Sequence, residues 1–184
     1  MQKYTFCDIT ESPQTLQQAK QLMLDTYPKV GMWETLDEKE AAETMEESTA
    51  DGNICLGIKL ADQLIGWVGL RPAYKFTWEL HPLVLAIEHH GKGYGTILMT
   101  ELEKLAKSKG ITGIYVGSDD ETAKTSLSQV DITSQNIFHE MATIKNYDKH
   151  PYEFYQKCGY FIVGIVPNAN GKHKPDIMLW KDIS

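Results

Sequence analysis

Apolar and polar positions change period repeatedly along this chain, and each change marks an element. Lys3 to Ile9 alternates and predicts a first strand. Leu16, Ala19, Leu22 and Met23 recur at helical spacing between Gln14 and Asp25. Ser12-Pro13 supplies that helix with an N-cap and a first-turn proline. Leu36 to Glu47 predicts a second, very acidic helix capped by Asp37. Ile54 to Leu60 and Leu64 to Leu70 read as strands joined at Ala61-Asp62-Gln63, a hairpin. Thr77 to Ile87 reads as a longer strand. His81-Pro82 inside it removes one ladder donor, which predicts a bulge or splay. An amphipathic helix over Ile97 to Lys109 ends at Gly110, and Ile111 to Gly117 is a strand. Asp119 to Lys149 is long, polar and irregular, with a helix near Asn136 to Met141. Pro151 to Lys157 is a short helix stopped by Gly159. Strands over Tyr160 to Val166 and Asp176 to Trp180 flank a Pro-Asn-Ala-Asn-Gly turn. The order β-α-α-β-β-β-α-β-α-β-β indicates a mixed α+β class.

Between the longest strand and its helix stands His90-Gly91-Lys92-Gly93-Tyr94-Gly95-Thr96. Glycines at alternate positions let backbone approach a ligand where a Cβ would collide. The amides of such a turn, feeding a helix N-terminus, converge on one spot and favour an anion. A pyrophosphate is the natural occupant. A nucleotide P-loop, G-x-x-x-x-G-K-[ST], does not occur in the chain. A dinucleotide fingerprint fails too, because the third glycine falls one place early and the run lies mid-chain. The plain alternative is a glycine-rich turn ahead of a helix.

Composition narrows the class. The 184 residues suit one domain, and a hydrophobic content of 42% suffices for a core. No apolar run has membrane-spanning length, and no leader peptide is legible. Cys7, Cys55 and Cys158 are far apart, odd in number and without C-x-x-C, which predicts reduced thiols in the cytoplasm. The six histidines lack zinc spacing, and adjacent His89 and His90 point apart on most backbones, so no metal is expected. A net charge of -7 argues against nucleic acid as a partner and suits a cationic small molecule.

The glycine run, placed after a strand, resembles the acetyl-CoA loop x-x-G-x-G/A of the GNAT superfamily of N-acetyltransferases. His90 stands where that family usually has Arg or Gln. A second element, Pro151-Tyr152-Glu153-Phe154-Tyr155-Gln156-Lys157-Cys158-Gly159-Tyr160, resembles its Y-x-x-x-G-[FY] motif. The resemblance implies a single acetyltransferase domain with a central mixed, splayed sheet flanked by helices. Residues 1–60 would form the acceptor side and 64–184 the acetyl-CoA-binding core. Stretches at 78–84, 117–120, 127–131, 150–155, 163–171 and 174–177 further resemble aminoglycoside 6′-N-acetyltransferases of the Gram-positive enterococcal type. This narrower likeness is weak in the first sixty residues.

The implied reaction is direct transfer of an acetyl group from acetyl-CoA to an amine. A protonated amine must lose a proton before it attacks. Glu79, just before the splay, is the candidate base, or a carboxylate that only positions a cationic sugar. His81 faces the same way at strand spacing and is a rival base or a partner holding the bulge. The backbone N–H of Leu83 is the candidate donor to the acetyl oxygen. Leu83, Val84 and Leu85 would pair with the pantetheine arm as a pseudo-strand. His90, Gly91, Lys92, Gly93, Tyr94, Gly95 and Thr96 would surround the pyrophosphate. Tyr155 is the candidate acid for the departing thiolate, a phenol whose pKa ordinarily lies just above that of the thiol; otherwise it is a packing aromatic. Asn146 is expected on the cofactor arm. Asp119 and Asp120 join Glu79 as candidates for an acidic aminoglycoside pocket, and Tyr27 and Trp33 would stack on a sugar ring or serve as core or lid. Apolar residues on both faces of the hairpin Tyr160 to Trp180 suit a homodimer, and the resembled branch is dimeric. Acetylation of a polyamine or protein amine, and CoA binding without turnover, are the competing functions.

Overall fold

Four strands are hydrogen-bonded in sequence order, each antiparallel to the next: β1 (Tyr4–Asp8), β2 (Ile54–Leu60), β3 (Gln63–Pro72) and β4 (Thr77–Leu85). The computed structural model describes residues 3–31, 33 and 36–184. It divides into two units, Met1–Ile114 with Ile183–Ser184, and Tyr115–Asp182.

In the first unit, helices α1 (Pro13–Val30) and α2 (Glu38–Ser48) accompany the four strands, and α3 (Tyr94–Ser108) follows them. Ser12 caps α1 as its sequence indicates, its hydroxyl accepting from the Thr15 amide at 3.2 Å. The helix outruns its expected end at Asp25. Its last turn carries buried Thr26 and Tyr27, and it closes at Gly31 with φ of 70°. Asp37 and Glu40 make a reciprocal capping box on α2. A core cluster gathers Ile9, Ala19, Met23, Tyr27, Met45, Cys55, Leu64, Trp67 and Val84. Trp67 ties α1 to β3: its indole is fully buried and donates to the Ala19 carbonyl at 3.2 Å.

Strand β4 alternates sharply. Leu80, Pro82 and Val84 are buried; Glu79, His81, Leu83 and Leu85 are half-buried. Its register against β3 shifts between Val68 and Leu70, so Gly69 faces the His81-Pro82 step, the bulge expected from the proline. Gly69 permits this crossing, because a Cβ there would overlap the His81 carbonyl oxygen. β4 stops at Leu85 rather than Ile87, giving way to a 3-10 turn over Ile87–His89.

In the second unit, which takes in β5 (Gly113–Asp119) from Tyr115 onward, β5, β7 (Asp176–Asp182) and β6 (Phe161–Val166) are neighbours in that order, with β6 and β7 antiparallel. Helices α4 (Ile137–Ala142) and α5 (Tyr152–Lys157) are short. The irregular segment after β5 is organised by Asp120, 1% exposed. Its carboxylate accepts from the Lys124 amide (2.7 Å), the Thr125 amide (2.9 Å), the Thr125 hydroxyl (2.7 Å) and the Ser128 hydroxyl. This corrects the expectation of Asp120 in an acceptor pocket: both oxygens are spent inside the loop. Asp120→Ala leaves buried donors unmatched and is expected to cost about 3 kcal/mol, read from the urea midpoint at constant slope.

Candidate active site

Glu79 and Arg71 stand directly opposite each other across β4 and β3. The Arg71 Nε donates to Glu79 Oε2 at 2.7 Å, and a terminal guanidinium nitrogen donates to Glu47 Oε2 at 3.0 Å, reaching α2. Side-chain exposure falls from 63% at Glu47 through 30% at Arg71 to 22% at Glu79. The hydrogen bond that Arg71 donates to Glu79 is the main cause of a raised Arg71 pKa. Only a forked guanidinium spans two carboxylates in this way. The sequence reading passed over Arg71, although a signal was present: it is the only arginine in the chain.

Two residues beyond Glu79, the His81 ring lies 5.7 Å from Trp33, tilted 46°. Trp33 in turn meets Tyr27 edge-on at 4.9 Å. Tyr27 is only 4% exposed, so its ring offers no face to a sugar. Its hydroxyl instead donates to the Leu83 carbonyl at 3.0 Å. This places Tyr27 with the core and with the backbone of the site, a correction to its stacking role.

The direction of the β4 backbone follows from its ladder. The Ala86 amide donates to Ile65 O at 2.9 Å, and Val84 pairs with Trp67. Beyond the bulge, Val84 and Ala86 therefore address β3, and the N–H and C=O of Leu83 and Leu85 point away from it. The two outward carbonyls are capped by side chains: Leu83 by Tyr27, and Leu85 by His90 Nε2 at 2.8 Å. His90 thus reaches back to the strand, where it was expected beside the cofactor.

Beyond it, Gly91 and Gly93 adopt φ of 68° and 87°. Among the described residues, chain neighbours aside, no atom lies within 4 Å of a Cβ built at either position. The glycines therefore answer a torsional demand, and the space above them is open. Gly93 is the N-cap of α3 and brings no side-chain cap. The helix begins at Tyr94, three residues before its expected start, because Tyr94 is buried edge-on against Tyr4 and His89. Gly95 and Thr96 thus belong to the first turn, whose amides have no intrahelical acceptor. Lys92 and Thr96 are exposed and Gly95 is buried. An open turn, positive-φ glycines and uncapped amides fit a diphosphate.

In the second unit, Asp119 accepts from the Asn170 side-chain amide, while its carbonyl accepts from His150 Nε2 at 3.0 Å. The Tyr152 amide donates to His150 Nδ1 at 3.2 Å. Both ring nitrogens are thereby committed to one neutral tautomer, and burial lowers the pKa of His150. Asn146 closes the same loop, donating to His150 O (3.0 Å) and accepting from His150 N (2.8 Å). Its amide is occupied there, against the expectation of a cofactor contact. Tyr155 is buried beside Phe154 and Tyr160, at ring separations of 5.3 Å and 6.0 Å. Burial pushes its phenol well above the ordinary range, further from a thiol than expected, so the group holds its proton at neutral pH.

Among the described residues, no helix is long and apolar enough to cross a membrane, and no group of three His, Cys, Asp or Glu could hold a metal ion. A family model described as the acetyltransferase (GNAT) family matches residues 16–126. Among solved structures, the chain is similar to an aminoglycoside 6′-N-acetyltransferase complexed with coenzyme A, at 38% identity over 98% of this chain and 97% of that one, TM-score 0.88. It is similar to the aminoglycoside 6′-N-acetyltransferase from Enterococcus faecium at 38% identity over 99% and 97%, TM-score 0.86. An aminoglycoside 6′-acetyltransferase type Ii follows at 34% identity over 99% and 97%, TM-score 0.72. No curated protein matches. The chain belongs to the GNAT family of acetyltransferases.

Proposed function

We propose that this enzyme acetylates the 6′-amine of aminoglycosides from acetyl-CoA in a ternary complex, giving resistance. The observation that carries the reading is 38% identity to enzymes of that activity over nearly the whole of both chains. Bound acetyl-CoA supplies the activated acetyl thioester. The amides of Gly91 to Thr96 hold its diphosphate, with Lys92 adding charge from solvent. The outward groups of Leu83 and Leu85 line its arm, and the Leu83 N–H stabilises charge on the acetyl oxygen. Glu79 takes the proton from the acceptor ammonium, with His81 beside it, and Tyr155 returns a proton to the leaving sulfur. Asp119 and Trp33 contribute to the acceptor side. The enzyme works in the cytoplasm. It pairs as a homodimer through the hairpin of β6 and β7, where Phe161, Val163 and Val166 are about half exposed.

Thiol release in the presence of kanamycin, spermidine or a lysine peptide tests the reading. Turnover with kanamycin is expected; turnover with the peptide alone would overturn it. The anion site has its own test. Gly93→Val puts a β-branched residue at φ of 87° and a side chain in the open space above the turn. The KM for acetyl-CoA should rise about tenfold, the equivalent of roughly 1–2 kcal/mol of left-handed strain.

A further inference from the structure

A guanidinium is an unexpected neighbour for a carboxylate that receives a cation. Three observations explain it. Arg71 engages Glu79 Oε2 alone, through Nε, and so leaves Oε1 to an acceptor. It is anchored from its other end by Glu47. The three groups together carry a net charge of -1, so the cluster still attracts an ammonium. The Glu47 contact is largely exposed, and by itself contributes little to stability. Its geometric effect is larger: it fixes the fork in the plane that meets Glu79. A free glutamate samples several rotamers, and ordering its side chain costs conformational entropy. A lysine is a point charge that cannot hold both partners at these angles.

We infer that Arg71 is the positioning residue for Glu79, clamped to α2 by Glu47 and presenting one carboxylate oxygen to the acceptor amine. The inference rests on the acetyltransferase reading of Glu79, and it assigns Arg71 no contact with the reacting atoms.

A double-mutant cycle tests it, run on whichever of kanamycin, spermidine or the lysine peptide the wild-type enzyme acetylates. Arg71→Met should lower kcat about tenfold or more, with the KM for acetyl-CoA unchanged, as for a misplaced catalytic group. Arg71→Lys should recover part of the loss. In a Glu79→Gln background, Arg71→Met should change kcat less than about twofold, because the residue it positions no longer acts. An equal loss in both backgrounds would make Arg71 merely structural and overturn the inference, as would a wild-type kcat in Arg71→Met. The side-chain carboxyl carbon resonance of Glu79, assigned by comparison with Glu79→Gln, reports without any turnover. It should move or broaden in Arg71→Met, and an unaltered signal would overturn the inference independently of which amine is the substrate.

Discussion

Glu79→Gln is expected to lower kcat for kanamycin acetylation by about 100-fold or more, with the KM for acetyl-CoA changed less than about twofold. Glutamine keeps the size of the side chain and can still accept from Arg71 through its carbonyl oxygen. It cannot take a proton. A positioned general base contributes roughly 10²–10⁴-fold, which sets the scale of the loss. A carboxylate that only held the cationic sugar would behave differently. Its removal would weaken binding of the aminoglycoside and leave kcat largely intact. The split between kcat and the aminoglycoside KM therefore decides between the two roles. In a host expressing the chain, protection against amikacin should disappear with Glu79→Gln. Equal protection by both forms would take Glu79 out of the mechanism.

Gly69→Ala is expected to cost about 2–4 kcal/mol in urea unfolding and to reduce activity along with stability. The added methyl meets a backbone carbonyl, that of His81, which cannot rotate aside as a side chain would. To clear it, β4 must move off β3 at the bulge and carry Glu79, His81 and Leu83 with it. Gly52→Ala is the control. Gly52 sits at φ of 90° with nothing near its Cβ position, so alanine there brings torsional strain without a clash. Its cost should stay near 1–2 kcal/mol, and activity should be unaffected. Equal costs at the two sites would mean that the close crossing over Gly69 does not constrain the strand.

What the sequence made legible was mostly local. Ser12 and Asp37 announce their helices because a cap bonds within three residues of itself. Pro82 announces the bulge because it lacks a ladder donor, and the alternation of Glu79, His81 and Leu83 against Leu80, Pro82 and Val84 survives into the structure. Gly69, the residue that makes the bulge possible, was not legible, because its need arises from the strand opposite. Arg71 escaped for the same reason. The apolar pattern of β3 fades at Leu70, where the strand was expected to end, and the pairing of Arg71 with Glu79 depends on a register no window of sequence contains. Asp119 and Asp120 looked alike as adjacent acids. Only packing separates them, since Asp120 meets four donors from residues 124–128 while Asp119 meets Asn170 from a distant turn. Tyr27 and His90 carried rings that suggested ligands, but each has its polar atom on a β4 carbonyl. Those two bonds mark the outward edge of the strand more directly than any motif does.

The main-chain amides of residues 91–96 are the proposed seat of the coenzyme A diphosphate, on which the placement of every other group depends. Titration of ¹⁵N-labelled protein with coenzyme A, followed amide by amide, tests this most directly. The expected result is a set of large shifts at Gly91, Gly93, Gly95 and Thr96 that saturates with the nucleotide and is lost in Gly93→Val. Saturable shifts clustered elsewhere, with those four amides unmoved, would contradict it.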